Sequence, residues 1–289
     1  MSRMLVLGGT GMLGTTISGH LTRLGHEVIT AARHQADIKI DLTSEDSFIS
    51  ALFQVRPEII INSAAVVSLD ACENEPLNAW KINAKAVSLL ANYSAVNGCK
   101  LVQISTDHYY TGDKSYLHKE TDPVVLLNEY ARTKYAAECF ALCSPNALVV
   151  RTNVTGFKQG NDSPTFAQWL FESIEDKKEI ILFEDFYTST IDAKTFSRVL
   201  AALISIDYSG LVNVASRSVS SKKMFAFAVA QKMGIKLDWA KAGSVKELNV
   251  TRAESLGLDV ALVTSLLGYE MPSLHQVVDS LYREYRREI

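Results

Sequence analysis

A chain of 289 residues, 47% of them apolar, has enough material for one large α/β domain, or for such a domain with a smaller lobe. Its formal charge of −3 gives no footprint for nucleic acid or an anionic membrane, and no apolar run approaches the roughly 18 residues of a membrane span. Cys72, Cys99, Cys139 and Cys143 make no disulfide framework and the six histidines make no metal motif, so a cytoplasmic protein without a metal is expected.

The chain enters a strand at Met4-Leu5-Val6-Leu7 with no signal-peptide pattern before it. The strand runs into Gly8-Gly9-Thr10-Gly11-Met12-Leu13-Gly14. Leu13, Ile17, Leu21 and Leu24 then recur at helical spacing, with Gly25 as the stop. Strand, glycine turn and helix together predict a dinucleotide site. Small residues let the backbone approach a pyrophosphate, and the helix N-terminus meets its charge. Residues 27–32 predict the second strand. An NAD site places an acid at this strand's end, roughly 20 residues past the glycines. Arg33 stands there, and a guanidinium suits a 2′-phosphate, so NADP is favoured over NAD.

A third short strand, 38–40, leads to Asp41 and Leu42, where the Asp could accept from an adenine amino group. Thr43 with Asp46 reads as a capping box opening a helix that Pro57 closes. Residues 58–62 are a continuous apolar strand of the kind buried in a parallel sheet. Ser63, Ala64 and Ala65 after it are small enough for a cofactor to lie against backbone. Asn74-Glu75-Pro76 predicts the start of a long helix with Trp80, Val87 and Leu90 inward and Gly98 at its end. Asn83 within it is expected to tether a neighbouring loop.

The chemistry concentrates in residues 101–134. The apolar run Leu101-Val102-Gln103-Ile104 ends in Ser105-Thr106-Asp107. Asn128 opens a helix on which Tyr130 and Lys134, four apart, share a face. An ammonium beside a phenol favours phenolate, and a Thr hydroxyl can bond the same oxygen. Such a set moves one proton to or from a carbonyl or alcohol oxygen. Residues 147–151 complete an alternation that predicts a Rossmann-like doubly wound parallel sheet. Beyond it the pattern gives a polar loop over 156–164, a helix over 165–176, and a strand over 180–183. A helix over 195–206 and a strand over 211–214, expected at the sheet's edge, follow. A mainly helical tail includes 221–233 and 274–285, with a solvated charged end over 283–288. The expected division is a dinucleotide-binding domain, 1–153 plus about 187–218, and a smaller, mainly helical substrate lobe, about 154–186 and 219–289. A substrate is expected between the two lobes.

With these motifs in order the chain resembles the extended short-chain dehydrogenase/reductase family, and within it the dTDP-4-dehydrorhamnose reductases and related sugar-nucleotide-binding proteins. The resemblance rests on Gly8 to Gly14, Ile60-Ile61-Asn62-Ser63-Ala64-Ala65, Asp70 with Glu73, and Ile82-Asn83-Ala84. It continues through Ile104-Ser105-Thr106-Asp107, Tyr130 with Lys134, Arg151-Thr152, and a tail from Arg252 through Leu258 to Leu267-Gly268. It implies NAD(P)H-dependent reduction of a nucleotide-linked 4-keto sugar, with Thr106, Tyr130 and Lys134 as the catalytic set. It places the cofactor on Gly8, Gly11, Met12, Leu13, Gly14, Arg33, Asp41, Leu42, Ala64, Ala65, Tyr130 and Lys134. The sugar nucleotide falls to Val66, Thr106, Asp107, Asn153 and Val154. Departures cluster at the sugar: Val154 replaces the family's Trp, and Tyr187-Thr188-Ser189-Thr190 replaces a Gly-x-Pro-Thr run. Such departures leave room for a non-catalytic NADP-binding regulatory subunit, like the β subunit of methionine adenosyltransferase. A sugar-nucleotide epimerase is a third reading, and His108 after Asp107 disfavours a dehydratase. A homodimer is compatible with all three.

Overall fold

The computed structural model describes residues 1–158 and 164–287. From the N-terminus the elements are β1 (Arg3–Leu7), α1 (Met12–Arg23), β2 (Glu27–Ala32), β3 (Ile38–Lys39), α2 (Glu45–Val55), β4 (Ile59–Asn62) and α3 (Leu69–Asn74). Next come α4 (Pro76–Ala79), a π-helical turn (Trp80–Lys85), α5 (Ala86–Asn97), β5 (Lys100–Ile104), α6 (Glu129–Ala141) and β6 (Ala147–Arg151). The rest comprises β7 (Val154–Thr155), α7 (Phe166–Glu175), β8 (Ile181–Phe183), β9 (Tyr187–Thr188), β10 (Ile191–Asp192), α8 (Ala193–Ser205) and β11 (Gly210–Asn213). It ends with β12 (Ser220–Ser221), α9 (Lys222–Met233), β13 (Lys241–Gly243), β14 (Ser255–Leu256), α10 (Ala261–Leu267) and α11 (Leu274–Tyr285).

The chain divides into two compact units. The first holds residues 1–106, 126–151 and 200–212, and the second holds 107–125, 152–199 and 213–289. The first is a seven-stranded sheet in the order β11-β6-β5-β4-β1-β2-β3. β1 pairs parallel with β2 and β4, and the parallel pairing continues through β5 to β6. Every residue of β5 and β6 is buried, as a parallel sheet covered by helices on both faces requires. Leu5, Leu7, Ile60 and Leu101 from the strands pack with Phe48 and Leu52 of α2 and Leu90 of α5. A sheet that steps outward one way from β1 to β3 and the other way from β4 to β6 has a topological switch point between β1 and β4. Ligands of such sheets lie at that point, beyond the strands' carboxyl ends.

The second unit has its own core, in which Leu170, Phe171 and Ile174 of α7 meet Phe225 and Val229 of α9 and Leu281 of α11. Its short strands form three small sheets: β10 with β7, β12-β9-β14, and β13 with β8. The expected strand over 180–183 exists, but it pairs with β13 and stays outside the main sheet. Among the described residues no helix is long and apolar enough to cross a membrane.

Several local expectations are corrected. The cap of α2 is Ser44, one residue later than Thr43, whose amide and hydroxyl are already bound to Asp41 at 2.9 and 2.7 Å. Leu24 is 55% exposed because α1 ends at Arg23 and Gly25, at φ +85°, turns the chain away. The long helix expected from residue 76 is broken. Its π-helical turn shifts the helical phase, leaving Trp80 partly exposed, with its indole N–H on Glu129, while Val87 and Leu90 face the core. Helix α3 was not expected; Ser68 caps it through the Ala71 amide. The tail carries β12, β13 and β14 besides its helices, each too short to leave a period of two. The polar loop over 156–164 falls partly on residues 159–163, and the charged end partly on Glu288; both lie outside the described residues.

Candidate active site

The glycine turn follows directly from β1. Gly8 has φ +75°, a conformation open to glycine at little cost. A side chain there would meet the Ala64 amide nitrogen at 2.9 Å, so the turn after β1 lies against the loop after β4, at the switch point. At Gly14 an added Cβ would lie 2.2 Å from the Gly8 carbonyl oxygen. Gly11 caps α1 in extended conformation with no side-chain bond, and no acid occupies the first turn. The first-turn amides, including those of Met12 and Leu13, have no acceptor within the helix, the kind of helix end that suits an anion.

The loop after β4 is held at several points. Ser63 bonds the Leu7 carbonyl through its amide and hydroxyl, and the Ala64 amide donates to Asn62. Val66 is gripped through both backbone groups by Asn83, whose side-chain oxygen accepts from its amide at 2.7 Å and whose nitrogen donates to its carbonyl at 3.1 Å. The tethering expected of Asn83 is thus observed. Arg33 stands exposed just beyond β2. Hydrogen bonds from Thr43 hold the nearby Asp41 carboxyl below the usual range, and the Arg33 guanidinium adds to this. Leu42 packs at the edge of the core.

At the same carboxyl edge of the sheet, Asn128 caps α6 by accepting from the Ala131 amide at 2.8 Å. Tyr130 and Lys134 follow one turn apart, and both are buried. The Lys134 ammonium donates to the Ile104 carbonyl at 2.7 Å, two residues before the buried Thr106. Burial pushes Lys134 down to about 8, against the opposing charge of Glu138. The Ser105 amide donates to the Val150 carbonyl at 2.7 Å, carrying the β5–β6 pairing to the threshold of Thr106.

Glu138, which the sequence reading passed over, lies one turn beyond Lys134. Its carboxylate accepts from the Arg151 guanidinium at 3.0, 3.2 and 2.7 Å and from the Ser105 hydroxyl at 2.5 Å. An acid at i, i+4 from the lysine was the available signal, and Arg151 at a strand end was the other half of it.

Asp107, Asn153 and Val154 belong to the second unit. Asp107, fully buried, accepts from the Asn153 amide at 2.8 Å, and Asn153 in turn accepts from Thr190 at 2.9 Å. Val154 begins β7, half-buried. Burial pushes the His108 imidazole down to about 4, with the charges of Lys222 and Arg252 adding to the effect, so it is neutral near pH 7. Among the described residues no three His, Cys, Asp or Glu side chains converge as a metal site would require.

The family model for the RmlD substrate binding domain matches residues 2–286. The spore coat polysaccharide biosynthesis protein SpsK of Bacillus subtilis is 27% identical over 239 residues, 81% of each chain. The dTDP-4-dehydrorhamnose reductase of Escherichia coli K12 is 28% identical over 252 residues, 84% of this chain and 83% of that one. Among solved structures, dTDP-4-dehydrorhamnose reductase from Bacillus anthracis in complex with NADP is 25% identical with a TM-score of 0.87, covering 98% of this chain and 99% of that one.

Proposed function

The chain belongs to the RmlD substrate-binding-domain family, and on that footing we propose that it is an NADPH-dependent reductase of a nucleotide-linked 4-keto sugar, like its relatives named dTDP-4-dehydrorhamnose reductase. One observation carries the reading. The Lys134 ammonium rests on the Ile104 carbonyl, which brings the Tyr130–Lys134 face of α6 to the end of β5 where Thr106 follows. Because the strands are parallel, that end lies on the same edge of the sheet as the glycine turn.

The dinucleotide fits the residues present. Gly8, Gly9 and Gly14 leave no room for a Cβ, the first-turn amides lack acceptors within the helix, and Arg33 gives the strand end a cation for a 2′-phosphate. When bound, the nicotinamide supplies the hydride. Reduction leaves negative charge on the carbonyl oxygen, and the Tyr130 hydroxyl is the donor that neutralises it. The Lys134 ammonium, one turn away, stabilises the phenolate left behind, and the Thr106 hydroxyl donates to the same substrate oxygen. With its pKa near 8, Lys134 is charged at neutral pH and loses that charge as pH rises through that value. Asp107 and Asn153, already fixed to each other, are assigned to the sugar together with Val154. A cytoplasmic homodimer completes the proposal.

The test is NADPH oxidation by the purified protein against dTDP-4-dehydrorhamnose and related nucleotide-linked 4-keto sugars. Turnover is expected in the wild type, with a loss of ~10²–10⁴-fold in Tyr130→Phe while NADPH still binds. NADPH binding without turnover across the panel would favour the regulatory subunit instead.

A further inference from the structure

Glu138 is 1% exposed, and its carboxylate joins three elements. It sits on α6, takes the guanidinium of Arg151 at the end of β6, and takes the hydroxyl of Ser105 just past β5. Stability alone is a poor reason for such a group. A buried ion pair often contributes no more than well-packed apolar side chains of similar volume, while breaking one by removing a single partner is costly. Its placement is more telling. Ser105 precedes Thr106, Arg151 follows the Val150 whose carbonyl holds the Ser105 amide, and Lys134 lies one helical turn before Glu138.

The surroundings of Lys134 leave Glu138 as its counter-charge. On β5 the ammonium meets a carbonyl, and Lys100 at the strand's far end is paired with Asp207. On β6 the charge is Arg151, met by Glu138 itself. Glu73 of α3 accepts from the Glu129 amide, and Tyr93 of α5 donates to the Leu52 carbonyl. The π-helical turn contributes Asn83, which is neutral and bonded to Thr133, while its lysines 81 and 85 are exposed. Among the described residues, Glu138 is the charge that opposes the effect of burial on Lys134.

We propose that Glu138 is a positioning residue for the reduction: clamped by Arg151, it fixes the strand end that presents Thr106 and serves as the counter-charge that keeps the Lys134 ammonium in its working form. This rests on the assignment of Thr106, Tyr130 and Lys134 as the reacting set.

The test is the pH dependence of kcat and kcat/KM for NADPH oxidation in the wild type, Glu138→Gln, Glu138→Asp and Ser105→Ala. Activity that needs a charged Lys134 declines on the alkaline side. Neutralising Glu138 removes the charge that opposes burial at the lysine, so in Glu138→Gln the alkaline limb moves to lower pH by about one unit, a ~10-fold loss on that side. Glu138→Asp keeps the charge and leaves the limb near its wild-type position. Ser105→Ala orphans no charge and tests the other arm: kcat falls ~10-fold with the limb unmoved and NADPH affinity retained. If Glu138→Gln does not fold, the Asp and Ala variants still decide. A limb that stays in place in folded Glu138→Gln, a limb that moves in Glu138→Asp, or wild-type kcat in Ser105→Ala would each overturn the proposal. Full activity in Tyr130→Phe would instead remove the parent assignment.

Discussion

Substituting Gly14 by Ala adds one methyl group where the backbone has no room for it. The new Cβ would stand 2.2 Å from the Gly8 carbonyl oxygen, 2.8 Å from the Gly8 carbonyl carbon and 2.9 Å from the Gly9 Cα. All three are backbone atoms, so no side chain can swing aside. Ordinary contact begins near 3.4 Å, so the turn and the start of α1 must separate by about 1 Å. Overpacking of this kind typically costs about 1–3 kcal/mol. The displaced atoms are the amide edge proposed for the pyrophosphate, so a similar loss should reach NADPH binding, ~10–100-fold in Kd at 1.4 kcal/mol per decade. Fluorescence titration of NADPH against the folded variant measures it. Gly19→Ala on the same helix is the control: its Cβ meets nothing closer than the end of the Arg23 side chain at 3.8 Å. That change should leave the Kd unaltered and stabilise the helix by about 0.5–1 kcal/mol. Unchanged NADPH affinity in Gly14→Ala, or equal losses in both variants, would refute the geometry of the turn.

Arg33→Ala should weaken NADPH by ~10-fold, the worth of a lost charge-assisted contact, and leave NADH unaffected; the ratio of the two kcat/KM values reads this directly. Asn83→Ala deletes three bonds to Val66 and Thr133 in a fully buried position and should cost about 2–3 kcal/mol, seen as a lower midpoint in urea. Lys134→Met should abolish the alkaline decline near pH 8 together with most of the turnover, and a pH profile of wild-type shape in that variant would exclude Lys134 as its origin.

The strong periodic signals carried the first unit. Apolar strands ending in glycine or in Ser-Thr-Asp, and a helix opened by Asn128, were legible because each depends on neighbouring residues. The chain also announced Tyr130 and Lys134 by their spacing. What it could not show were partners distant in sequence. The clamp between Glu138 and Arg151 spans a helix end and a strand, and Ser105 reaches Glu138 across 33 positions. Local competition explains the smaller misses. Thr43 was a plausible cap until Asp41 took its hydroxyl, and Trp80 was a plausible core residue until the helix changed its winding. The short strands of the second unit are two or three residues long, below the length at which alternation can be recognised.

That change of winding has a consequence for how this segment can vary. A uniform α-helix advances each residue by about 100°, so its two ends are locked in rotational register. The widened turn from Trp80 to Lys85 breaks that lock, letting Asn83 aim at Val66 while Val87 and Leu90 keep their places in the apolar stripe. A chain that lost one residue here and closed the turn would have to sacrifice either the clasp on Val66 or the inward seating of the following helix. The irregular turn and the loop-holding asparagine should therefore be gained or lost together.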